Sequence, residues 1–117
     1  MQQFTGFLTD RGSKYAVTGG PVASREEVRE FLKQLTRNKK YAKATHNTWG
    51  VLFDDGPQKG DDGESGAGIV ITRMLERAGL TNHIVVVTRW YGGVKLGGDR
   101  FRRVQDAVDY YLERRED

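Results

Sequence analysis

Two stretches of this 117-residue chain concentrate the side chains able to do chemistry. Arg89 to Arg100 (RWYGGVKLGGDR) brings Arg89, Trp90, Tyr91, Lys95 and Arg100 together with four glycines, among them Gly92, Gly93 and Gly97. Basic and aromatic side chains on a pliable backbone suit recognition. Arginine and aromatics dominate protein contact surfaces, and stacking combined with phosphate contacts holds RNA loops. Asp54 to Gly68 (DDGPQKGDDGESGAG) has the opposite character, setting Asp54, Asp55, Asp61, Asp62 and Glu64 against Lys59. Carboxylates so grouped suit acid–base work, a hard cation or an acidic cap on the helix that follows.

The enzymatic reading assigns Asp61, Asp62 or Glu64 as acid, base or metal ligand and His46 as proton carrier. It lacks a nucleophile: Gly63-Glu64-Ser65-Gly66 does not have the G-x-S-x-G spacing of a nucleophile elbow. Neither a complete phosphate-loop nor a dinucleotide fingerprint is present, and five carboxylates would repel a phosphate. His46 stands beside Asn47 with no His, Cys or aligned carboxylate at ligand spacing, which reads as a packed strand histidine. The expectation is therefore no catalytic residue, no metal and no cofactor. Asp61, Asp62, Gly63 and Glu64, with His46, Gly92, Gly93 and Gly97, are expected to shape loops.

The chain carries a net charge of +3 with a pI near 9.3, 37% hydrophobic and 30% charged residues, and no cysteine. Disulfides and thiolate chemistry are excluded. The N-terminus lacks the basic start and apolar run of a secretory signal, and no apolar run approaches a membrane span, so a cytoplasmic address and no membrane partner are expected. The length suits one domain spanning residues 1–117. Charge is segregated: the acidic loop faces a basic set of Arg89, Lys95, Arg100, Arg102 and Arg103, and Arg37, Lys39, Lys40 and Lys43 form a second basic cluster. This points to Arg89 or Arg100 neutralising Asp62 or Glu64.

Gln3 to Thr9 and Lys14 to Thr18 read as strands joined by Asp10-Arg11-Gly12-Ser13. Ser24 with Glu27 forms a capping box, opening a helix with Val28, Phe31, Leu32 and Leu35 on one face. Its stripe of Arg25, Arg29, Lys33 and Arg37 reads as solvated surface. Ala44 to Phe53 is a strand with Trp49, Val51 and Phe53 on one side and His46, Thr48, Gly50 and Leu52 on the other. Asp54 to Gly68 is a long polar loop. A helix from Ala67 to Ala78 stops at Gly79, and Ile84 to Thr88 is a buried strand. Asp99 is placed to cap a last helix carrying Phe101, Val104, Val108, Tyr111 and Leu112. The order ββαβαβα gives an α/β (α+β) fold, a two-layer sandwich of a four-stranded mixed sheet with helices on one face.

Asp61 to Gly68 (DDGESGAG), Val87 to Gly97 (VTRWYGGVKLG) and Ala42 to Asn47 (AKATHN) together closely resemble the Impact family, which includes YigZ-like proteins. The resemblance runs over nearly the whole chain. It implies a fold similar to the C-terminal domain of a small-subunit ribosomal protein and to domain IV of the ribosomal translocase. It also implies a link to translation, since eukaryotic members regulate it. The leading reading is thus a binding module in which Arg89, Trp90, Tyr91, Lys95 and Arg100 meet a protein of the translation machinery or structured RNA. The alternatives are the enzyme above and a homo-oligomeric interaction domain that binds no nucleic acid.

Overall fold

The computed structural model describes residues 1–116. Its elements are β1 (Gln2–Phe4), β2 (Thr9–Asp10), β3 (Ser13–Pro21), α1 (Arg25–Thr36), α2 (Lys39–Ala42), β4 (His46–Phe53), β5 (Gly56–Gly60), α3 (Ala67–Ala78), β6 (His83–Trp90) and α4 (Asp99–Arg114). Local chemistry sets the helix ends. Ser24 Oγ accepts from the Glu27 amide at 3.2 Å, while Glu27 Oε1 accepts from the Ala23 amide at 3.0 Å. α3 ends at Gly79 in the left-handed conformation that closes its last turn. Asp99 is the first residue of α4 rather than its cap, because Gly98 precedes the helix without a side chain and the Asp99 carboxylate pairs with Arg11 at 2.6 Å.

The strands form one six-stranded sheet in the order β1-β3-β6-β4-β5, with β2 paired to the start of β3. The α+β class is as expected. Three finer expectations are corrected. All described pairings are antiparallel, so the sheet is not mixed. It has six strands rather than four, because the first segment divides into β1 and β2 and because β5 pairs with β4 inside the stretch read as loop. Gly-Pro-Gln-Lys-Gly has little intrinsic strand preference, and an edge strand tolerates it. The single turn α2 was also unforeseen.

The third correction concerns layering: helices cover both faces. On one face α3 and α4 pack Ile71, Leu75, Val104, Val108 and Tyr111 against Tyr15, Val17, Val85 and Val87. On the other α1 and α2 pack Val28, Phe31, Leu35 and Tyr41 against Ala16, Val51, Ile84 and Val86. Alternation along β3 shows the arrangement, with Tyr111 lying over Gly19 and Phe31 over Gly20. A strand buried on both faces must be apolar throughout, which explains Ile84 to Val87 at the centre of the sheet.

Candidate functional site

The acidic segment closes on itself. The Asp61 carboxylate accepts from the amides of Gly66 at 3.1 Å and Gly68 at 2.8 Å at the head of α3, and these two bonds hold its pKa below the ordinary 3.8. The Asp62 carboxylate accepts from the Asn47 amide at 2.7 Å, and the Asp62 carbonyl accepts from His46 Nδ1 at 2.8 Å. Asp62 and Gly63 take positive φ values of 49° and 84°, turning the chain from β5 back toward the sheet. That turn drives Glu64 inward.

Glu64 meets Arg89 there. Arg89 Nη1 donates to Glu64 Oε1 at 2.8 Å, and the two side chains are 7% and 3% exposed. Arg89 Nε also donates to Ser13 Oγ at 3.3 Å, and the same hydroxyl accepts from the Gly92 amide at 3.3 Å. One buried guanidinium therefore ties the acidic turn, the start of β3 and the loop after β6 together. This is one of the pairings to which the charge segregation points. It also corrects the place of Arg89: the side chain lies under the sheet with α3 and α4, and burial withdraws it from the contact surface expected of it.

Of the residues expected beside it, Tyr91 keeps its ring centre 5.7 Å from the Arg89 guanidinium carbon, while the others part company. Trp90 turns to the opposite face, where Nε1 donates to the Lys40 carbonyl at 3.0 Å and the ring meets Tyr41 edge-on at 5.1 Å. Tyr91 is 46% exposed, with its amide donating to Thr45 Oγ1 at 2.9 Å. Lys95 is exposed on the glycine-rich loop. Arg100 folds over Phe101 at 4.4 Å and donates to the Gly97 carbonyl at 2.9 Å. Gly93 and Gly97 have positive φ values of 92° and 57°. Gly92 lies so close to the β2–β3 turn that a Cβ on it would stand 2.0 Å from the Gly12 carbonyl carbon.

Trp90 and Tyr91 instead line a cleft of about 650 Å³ with residues not assigned to the site from sequence. Lys14 and Lys40 supply charge, Thr5 and Thr9 hydroxyls, and Gly6, Leu8, Gly12 and Tyr15 complete the wall. Lys14 stands opposite Trp90 in the β3–β6 register, and Lys40 Nζ lies 5.3 Å from the centre of the Trp90 ring. No carboxylate lines this cleft. Lys40 had a signal in the basic cluster. Lys14 had none, because nothing local shows that β3 will pair with β6.

Among the described residues no group of three or more His, Cys, Asp or Glu side chains is placed to hold a metal ion. None of their helices is long and apolar enough to cross a membrane.

The chain is similar to Protein IMPACT of Mus musculus, with 39% identity over 107 residues that make up 86% of this chain and 34% of the relative. It is similar to the Protein IMPACT homolog of Schizosaccharomyces pombe, with 39% identity over 106 residues, 86% of this chain and 38% of that one. It thus spans little more than a third of the length of these curated relatives. The fold matches the crystal structure of a hypothetical protein at a TM-score of 0.82 and 21% identity, covering 96% of this chain and 57% of the other. It also matches the two-domain translational regulator Yih1 at a TM-score of 0.55 and 30% identity, covering 92% and 44%. The Impact N-terminal domain matches residues 11–112, a span that holds the buried Arg89–Glu64 pair and both loops it joins, and the chain belongs to that family.

Proposed function

We propose that this Impact domain is a cytoplasmic binding module that takes part in the regulation of translation by holding RNA of the translation machinery in the cleft closed by Trp90 and Tyr91. The observation that carries the reading is the single sign of that cleft. Two lysines, two threonines and three aromatic residues, Tyr15, Trp90 and Tyr91, line it without a carboxylate, the combination that lets bases stack while phosphates meet cations. The role of the similar protein Yih1 as a translational regulator supports the setting.

A binding role also accords with the fate of the carboxylates. Asp61 is engaged with α3 amides, Asp62 with Asn47 and Glu64 with Arg89, so each holds the loop in shape. Anisotropy titration of a fluorescein-labelled RNA hairpin at two salt concentrations tests the reading. Binding that weakens steeply with salt, and is lost in Lys14→Glu with Lys40→Glu, is the expected result. Salt-independent binding, or RNA binding unchanged by both substitutions, would overturn it in favour of a protein partner.

A further inference from the structure

α1 does not cover the whole of its sheet face. Val28, Phe31 and Leu35 are its buried residues, and they pack over β3, β6 and the middle of β4. The strip over Trp49 of β4 and Gln58 of β5 lies open beside the helix. Two adjoining hollows, of about 200 and about 540 Å³, share Leu32 and Trp49 along that strip. Together they run from Arg25 to Thr36, roughly 16 Å at the rise of an α-helix.

The wall and the floor of this lane differ in chemistry. Arg25, Arg29 and Lys33 follow one another at four-residue steps along the wall, and none has an ion-pair partner among the described residues. The helix carboxylates Glu26, Glu27 and Glu30 do not line it. Its one acidic residue, Asp62, already accepts from the Asn47 amide at 2.7 Å. The floor is Leu32 and the Trp49 indole, which lies across Gly60; a Cβ there would stand 2.2 Å from the indole nitrogen. Glycine at that position lets the indole lie down on the strand.

We propose that this lane is a docking groove for an extended acidic segment of a partner protein, with carboxylates on Arg25, Arg29 and Lys33 and intervening apolar side chains on Leu32 and Trp49. The spacing fits. Four residues of helix advance by about 6 Å, and alternate side chains of an extended chain repeat at about 6.6 Å, so one wall cation stands near every second residue of the segment. The floor favours peptide over nucleic acid, because it offers one indole and an aliphatic side chain rather than a pair of rings between which bases stack. The groove is independent of the cleft at Trp90 and Tyr91 and shares no residue with it.

The test is anisotropy titration of the full chain with a fluorescein-labelled ten-residue peptide of alternating glutamate and valine, with a lysine–valine peptide and a ten-nucleotide polyuridine as competitors. Trp49 emission is followed in a Trp90→Phe background. Saturable binding of the acidic peptide with a change in Trp49 emission is expected. So is a loss of about tenfold in affinity in Arg29→Glu, no loss in Lys14→Glu, and no displacement by the lysine peptide. Equal affinity of Arg29→Glu and the unaltered chain, no saturable binding, or displacement of the peptide by polyuridine would each overturn the proposal. Circular dichroism of Arg29→Glu verifies that this exposed position leaves the helix intact, and Arg29→Lys is expected to restore binding.

Discussion

Arg89 and Glu64 meet at 2.8 Å with side chains 7% and 3% exposed, and among the described residues each is the other's only opposite charge at ion-pair distance. Twenty-five residues apart in sequence, they fasten the acidic turn to the end of the central strand. Burial changes what such a pair contributes. Two charges removed from water roughly offset their own attraction, whereas removing one partner leaves the other stranded. Glu64→Gln is expected to lower stability by about 3–5 kcal/mol in urea unfolding. The joint replacement Arg89→Met with Glu64→Leu is expected to recover most of that loss. A single substitution as mild as an exposed one would refute this account.

Gly92 is held by steric demand alone, since its φ lies outside the positive region and a Cβ would overlap the Gly12 backbone. Neither neighbour is a side chain able to swing away. Gly92→Ala is expected to cost about 1–3 kcal/mol or more and to reduce RNA binding in the neighbouring cleft. Gly98→Ala, whose Cβ meets nothing within 4 Å, is the control expected to change little.

Asp61 titrates below its ordinary 3.8 because the Gly66 and Gly68 amides favour its charged form. A depressed folded-state value means that the contribution is fully present above 3.8 and is lost as pH falls through the lower folded value. Asp61→Asn is therefore expected to be less stable at neutral pH and to lose less further stability on acidification. Thermal melts from pH 7 to pH 3 would show the two curves converging; parallel curves would count against it.

Tyr15 carries a buried hydroxyl with no hydrogen-bond partner among the described residues, and burial pushes its phenol up to about 12. The fold favours the neutral form, so this contribution is complete below the ordinary value of 10 and disappears as pH rises through about 12. Removing an unsatisfied hydroxyl relieves a desolvation cost of about 1–3 kcal/mol. Tyr15→Phe is accordingly expected to be neutral or stabilising, read by urea unfolding at pH 7, and a marked loss of stability would show that the hydroxyl is satisfied in solution.

What the chain disclosed in advance was what neighbours in sequence decide. The Ser24–Glu27 cap, the stop at Gly79, the alternation of Trp49, Val51 and Phe53, and the apolar run of β6 depend on contacts a few residues long. β5 stayed hidden because Pro57 and two glycines carry no strand signal without β4 beside them. The site divided along the same line. Arg89, Trp90 and Tyr91 stand out by type, but only the β3–β6 register turns Arg89 under the sheet and sets Lys14 opposite Trp90. Covering of both sheet faces is not legible in the sequence because helical stripes show which side of a helix is apolar and leave open which side of a sheet receives it.

Sheet order has a consequence for the timing of assembly. β3 and β4 do not pair with each other; β6 lies between them. While the chain emerges from its N-terminus, the β1–β3 ribbon and the β4–β5 hairpin have no common neighbour until the last strand arrives. Long-range pairing of this kind is slow, since loop closure precedes the contacts that stabilise it. The Arg89–Glu64 pair, the Gly92–Gly12 contact and the wall formed by Trp90 are all supplied by β6 and the loop that follows it. The cleft is thus completed late in the life of each newly made molecule, and a nascent chain halted before residue 90 lacks the wall that Trp90 and Tyr91 supply.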